Sequence, residues 1–304
     1  MPNQNDKQNN ISVGSKTNLD TNPAVKPNTV VKPSRVGADL MPRVLSGIVM
    51  GTIAFAAVWF GSWPFLILLT FVGSVIAWEW SNIVRAATDD APFYAHGITV
   101  IGAIVLAALG YTVPAILLTL TGTVLVAVLS LDKHPLLSGT GVAYAALPCI
   151  ALLWLRADAV FGFAAVVYIV GTVVATDTGA YFAGRLLGGP KLWPRVSPKK
   201  TWSGLLGGMT AAAIVGLITA ALVSGANAWH LAVLSAVLAI VAQAGDLAES
   251  ALKRAFDTKD ASALIPGHGG VMDRVDGLVT AAIAAAFYAA SLDVFQPARA
   301  LLTW

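Results

Sequence analysis

The run FGFAAVVYIVGTVVA, residues 161–175, holds no charged side chain and leads directly into Thr176-Asp177-Thr178-Gly179-Ala180-Tyr181. A helix that crosses a bilayer takes about 20 mostly apolar residues, and this run with its flanks is such a helix. Eight more stretches of the same kind centre on residues 49–60, 65–76, 100–109, 115–128, 143–155, 205–222, 231–242 and 278–290. The third is short and contains Gly102, so the count is about nine. Trp59, Trp63, Trp78, Trp80, Trp154, Trp202 and Trp229 fall near the span ends, as in an interfacial aromatic belt.

Composition agrees. The chain is 57% hydrophobic and 12% charged, against about 25% charged in soluble domains. That is too little charge to cover a water-exposed surface, so the expected fold is an all-α, polytopic integral membrane bundle. The single cysteine, Cys149, excludes an intrachain disulfide framework. Residues 1–40 are rich in Asn, Pro, Lys, Ser and Thr and read as a disordered tail. No apolar core of a secretory signal follows a short basic start there.

The cations set the orientation. Of the 19 Lys and Arg residues, only Arg156 and Arg299 fall on one side of a nine-span topology. The positive-inside rule then places the N-terminus and the loops after spans two, four, six and eight in the cytoplasm. The expected organisation is a tail (1–40), spans one to five (41–158), and spans six to nine with two long cytoplasmic loops (159–304). Long loops in a compact bundle usually carry function. Small residues are dense in spans seven and nine, which permits close helix packing or a homodimer contact.

Acids near the ends of apolar spans are costly and need compensation by a metal, a base or water. Asp177 ends span six, while Asp246 and Glu249 end span eight at a spacing of i, i+3, with Lys253 four residues further. Asp273 and Asp276 repeat the spacing at the start of span nine. On helices each set shares a face. Carboxylate oxygens are the ligands of Mg²⁺, which normally brings phosphate with it. Local pairs, Glu249 with Lys253 and Asp276 with Arg274, are the plainer account of the same spacing, the more so for Glu249 and Asp276.

Between the acids runs Lys259-Asp260 and then Pro266-Gly267-His268-Gly269-Gly270, a tight turn whose backbone can approach anionic oxygen. The span-six loop holds Ser197-Pro198-Lys199-Lys200-Thr201, a phosphate cradle or else an anchor for anionic headgroups. No Walker A loop, hydrolase elbow or zinc spacing is present.

Ser250-Ala251-Leu252-Lys253-Arg254, Lys259-Asp260, Pro266 to Gly270 and Asp273-Arg274-Val275-Asp276 together resemble the signature segment of the phosphatidate cytidylyltransferases (CDP-diacylglycerol synthases). The segments around Asp177, Lys199-Lys200 and Asp246 occur in that family's order, and the resemblance spans about residues 41–292. One departure is Ser203, where the family commonly has Glu. The resemblance implies an enzyme of phospholipid synthesis in the bacterial inner (plasma) membrane, with its site facing the cytoplasm. It would join CTP and phosphatidate into CDP-diacylglycerol and pyrophosphate, with no nucleic-acid partner. Asp246 and Asp273 would hold Mg²⁺, with Glu249 and Asp276 as less certain ligands and a second cation such as K⁺ nearby. Lys199, Lys200 and Arg274 would act on the phosphates, and Ser197, Thr201, Lys253, Arg254, Lys259, His268, Gly269, Gly270 and Asp177 would shape or contact the substrate site. A transporter is the rival from another class, but the acids cluster at one interface and no internal repeat is apparent.

Overall fold

The computed structural model describes residues 40–265 and 269–304. The expected tail, apart from Leu40, and the expected role of His268 lie outside the described residues. Among the described residues, nine long helices match the nine apolar runs: α1 (Leu40–Phe60), α2 (Ser62–Arg85), α3 (Ala91–Ala108), α4 (Thr112–Leu129), α5 (Pro135–Arg156), α6 (Gly162–Leu186), α7 (Trp202–Leu222), α8 (Ala228–Ala255) and α9 (Met272–Leu292). Helices α2 to α9 are long and apolar enough to cross a membrane, and α1 adds a shorter apolar stretch, Leu45–Phe60. Ile67, Phe71, Ile98, Val113, Val124 and Phe287 are exposed along the outside of the bundle. Water would not tolerate so continuous an apolar exterior, so the chain is a polytopic helical membrane protein.

Two elements have no counterpart in the apolar pattern. A short helix, α10 (Pro297–Thr303), follows α9, and a hairpin of β1 (Lys191–Trp193) and β2 (Ser197–Thr201) joins α6 to α7. Gly188 and Gly189 adopt φ of 62° and 101° at the entry to this hairpin, a conformation that suits glycine alone. Thr201 then caps α7 by accepting from the Gly204 amide at 3.1 Å. Ser203 shares a hydrogen bond with Thr201 at 3.0 Å and donates to the Gly188 carbonyl.

Small residues are used inside the chain. A Cβ on Gly207 of α7 would stand 2.2 Å from the Ala183 Cβ of α6, so these two helices touch backbone to backbone. Ala281, Ala282, Ala285 and Ala289 of α9 are fully buried. The main core joins Val166, Met272 and Ala282 to residues of α2, α3 and α5, so the first and last helices share one interior. Trp59, Trp63, Trp202 and Trp229 are exposed, as a belt requires. Trp80 is not part of it: its ring is buried against Tyr144, with centroids 4.9 Å apart, and its Nε1 donates to the Leu137 carbonyl at 2.8 Å. An indole whose donor finds an internal carbonyl gains more from the core than from the interface.

Candidate active site

The end of α6, strand β2, the end of α8 and the start of α9 meet at one end of the bundle. Successive side chains of a strand point to opposite sides, and β2 uses this to separate its two lysines. Lys199 is exposed, whereas Lys200 turns inward, 2.7 Å from Asp246 Oδ2 and 3.2 Å from the Gln243 carbonyl. Both line a cleft of about 280 Å³ with Asp177, Tyr181, Gln243 and Asp246. Asp246 also accepts from the Ser250 hydroxyl at 3.3 Å. Asp177 stands in the fields of Asp276 and Asp246, opposed by those of Lys200 and Arg274.

Lys253 is the hinge between α8 and α9. Its ammonium lies 3.0 Å from Glu249 Oε1, one helical turn back, and donates to Asp273 Oδ1. Asp273 Oδ2 accepts from the amides of Ala261 at 2.9 Å and Gly270 at 2.8 Å. Three of the roughly four lone-pair positions of this carboxylate are therefore in use. Asp276 accepts from the Gly277 amide at 2.7 Å and neighbours the Glu249 carboxylate. Asp246 and Asp273, expected to share one cation, are thus each matched by a lysine of their own.

Glu249 is different. Its side chain is fully buried, and no backbone amide among the described residues donates to it; its neighbours are the Lys253 ammonium and the Asp276 carboxyl. Five carboxylates (Asp177, Asp246, Glu249, Asp273, Asp276) gather here with Lys199, Lys200, Lys253 and Arg274. Among the described residues, no three His, Cys, Asp or Glu side chains stand together as a ready-made metal cage. Mg²⁺ does not need one: it commonly takes one or two carboxylates and completes its shell with water and phosphate. The oxygen-rich donor set therefore fits a hard, oxygen-loving cation.

The remaining expected residues fall into two groups. Ser197 pairs with Trp193 in the hairpin and Thr201 caps α7, so both build the scaffold under Lys199 and Lys200. Arg254 and Lys259 are exposed at and beyond the end of α8, with Arg254 Nη1 3.4 Å from the Thr258 carbonyl. The amide of Gly269 donates to the Ile265 carbonyl at 3.1 Å and that of Gly270 to Asp273. Both glycine amides are committed to closing the turn. Arg274 is exposed on the first turn of α9.

The sequence reading missed two residues from the first half of the chain. Glu79, on α2, is completely buried beneath the turn. Its Oε1 accepts from the Ser262 hydroxyl at 2.6 Å and the Val271 amide at 2.9 Å, and its Oε2 from the Met272 amide at 2.7 Å. Tyr144, on α5, brings its buried hydroxyl among the fields of Glu249, Asp276, Asp246 and Asp273, without a hydrogen-bond partner among the described residues. The signal for Glu79 was present, because a lone acid within an apolar span, Trp78-Glu79-Trp80, is functional by default. Nothing in the sequence marks Tyr144.

The cytidylyltransferase family model matches residues 41–292. The chain is 40% identical over 248 residues to the phosphatidate cytidylyltransferase of Brucella suis and equally to that of Brucella melitensis, covering 81% of this chain and 91% of each relative. It is 30% identical over 262 residues to the phosphatidate cytidylyltransferase of Bacillus subtilis, covering 79% of this chain and 94% of the relative. A site rich in cations and carboxylates, seated at one end of a membrane bundle, is what such a reaction between two polyanions demands, and the chain belongs to the cytidylyltransferase family.

Proposed function

We propose that this site joins CTP to phosphatidate at the cytoplasmic face of a bacterial inner membrane, with a divalent cation, Mg²⁺, held by the α8 and α9 carboxylates. A phosphate oxygen of phosphatidate attacks the α-phosphorus of CTP. The new bond links the two phosphates, the bond from the α-phosphorus to the bridging oxygen breaks, and pyrophosphate leaves. The observation that carries this reading is the cluster of carboxylates from α6, α8 and α9 set beside the lysine-lined cleft.

Both substrates are polyanions, and catalysis of such transfers is mostly positioning and charge stabilisation. Lys199, free on the outer face of β2, meets an incoming phosphate first. Lys200 holds Asp246 in place and is near enough to the cleft to share a phosphate oxygen. Lys253 locks α8 to α9, which fixes the relative heights of Glu249 and Asp273. When bound, the cation would neutralise phosphate charge at the reacting centre. Asp246, Glu249, Asp273 and Asp276 are the residues that would hold it. The cleft lies between helices, where a lipid headgroup can enter while its chains stay in the bilayer. The cytoplasmic orientation is supported by the distribution of Lys and Arg.

The test is purified protein with labelled CTP and phosphatidate. CDP-diacylglycerol and pyrophosphate should form in equal amounts with Mg²⁺ and stop with a chelator. Full turnover in the chelator would remove the cation from the proposal, and no product under any condition would remove the reaction. For orientation, Lys259→Cys should react with a membrane-impermeant maleimide in inside-out vesicles and not in intact spheroplasts.

A further inference from the structure

Helix α9 carries Asp273, Arg274 and Asp276, yet its own residues do not cap it. Val271, at its N-cap, supplies no side-chain acceptor. The first amides of any helix are left without intrahelical acceptors and must find partners elsewhere. Here the Val271 and Met272 amides both donate to Glu79, which lies 192 and 193 residues earlier in the chain on α2. The same carboxylate takes the Ser262 hydroxyl from the preceding loop. Glu79 is fully buried and satisfied by three donors, and its negative charge complements the positive end of the α9 dipole. Gly270 leaves room for it: a Cβ there would lie 2.4 Å from Glu79 Oε1.

We infer that Glu79 is a positioning residue for the cytidylyl transfer. From the first half of the bundle it clamps the start of α9 and the loop before it, and so sets where Asp273 and Asp276 stand. Its hydrogen bonds among the described residues go to α9 and the loop, and none to the lysine-lined cleft. Three features support a dedicated clamp over a generic core contact. The acceptor is a carboxylate with no basic side chain among its three donors. All three donors come from the catalytic half. Two of them are the orphan amides of the helix that bears the acids. The inference does not depend on which cation the acids hold.

The experiment compares Glu79→Gln, Glu79→Ala and Ser262→Ala in the purified full chain, with rates expressed per folded molecule after size-exclusion chromatography and a melting curve. A 1 Å misplacement away from the chemistry can cost about 10²-fold in rate. Glu79→Ala should lose about that much of kcat and Glu79→Gln about tenfold, since Gln keeps one acceptor oxygen. KM for CTP should move far less than kcat in both, because the cleft lysines are untouched. A part-rescue by Gln is the signature of hydrogen-bonded positioning. A purely structural role would lower the melting temperature and leave the rate per folded molecule unchanged, and that result overturns the inference. Should neither Glu79 variant fold, Ser262→Ala decides: a several-fold loss of kcat at unchanged melting temperature sustains the clamp, and a parental rate overturns it.

Discussion

Two buried acids in this bundle sit in opposite circumstances. Glu79 of α2 has three donors for its two oxygens and no charged partner among them. Glu249 of α8 has no backbone donor among the described residues; its neighbours are a lysine 3.0 Å away and the Asp276 carboxyl. Burying an ionised carboxylate is tolerable only when donors or cations replace its water. A satisfied acid such as Glu79 holds structure in place, because moving it would strand its donors. An acid such as Glu249, set between one lysine and a second carboxyl, belongs to a cluster that gains by binding something positive. The contrast separates the scaffold of the site from its receptor.

That contrast can be broken most forcefully at the receptor. Asp246→Asn and Asp273→Asn should each lower kcat by about 10²–10³ or more while the protein remains folded, as loss of one charge-stabilising group typically does. Near-normal turnover by Asp273→Asn would reduce that residue to an anchor for Lys253 and the Gly270 amide. Lys200→Ala comes next. It frees Asp246 and removes a phosphate partner, so kcat/KM for CTP should fall by about 10²-fold, measured by initial rates over a CTP series.

On the scaffold side, Gly270→Ala should push Glu79 off the α9 amides. Overpacking of this kind costs about 1–3 kcal/mol, visible as a lowered melting temperature together with a lowered rate. A variant as stable and active as the parent would mean that the loop moves aside freely and that Glu79 does not fix it. The smallest effect is expected at Ser203. Ser203→Ala loses its hydrogen bonds to Thr201 and the Gly188 carbonyl, about 0.5–1.5 kcal/mol each, and its rate should stay within about threefold of the parent. A large loss there would place Ser203 in the site after all.

The membrane helices were legible because each run of about 20 apolar residues has only one way to satisfy its backbone in lipid. The acids of α8 and α9 were legible as groups, since i, i+3 and i, i+4 spacings fix which side chains share a helix face. The pairing among them was not. Lys253 reaches Asp273 across 20 residues of sequence, and Lys200 reaches Asp246 only because β2 alternates its side chains. The hairpin itself was hidden in a segment too short and too polar to show a period of two. Trp80 looked interfacial because its neighbours at the span end are, yet a core carbonyl and Tyr144 claim it.

By itself, the sequence determined that this chain lives in a bilayer, which segments cross it, and which acids and lysines would gather at one end. Those properties follow from local composition and helical period. Tertiary structure alone decided which carboxylate is held by backbone donors and which by a lysine and a second carboxyl, and that a glutamate on α2 caps a helix that begins far along the chain. Partner choice depends on distances between segments remote in sequence, and no local pattern encodes those.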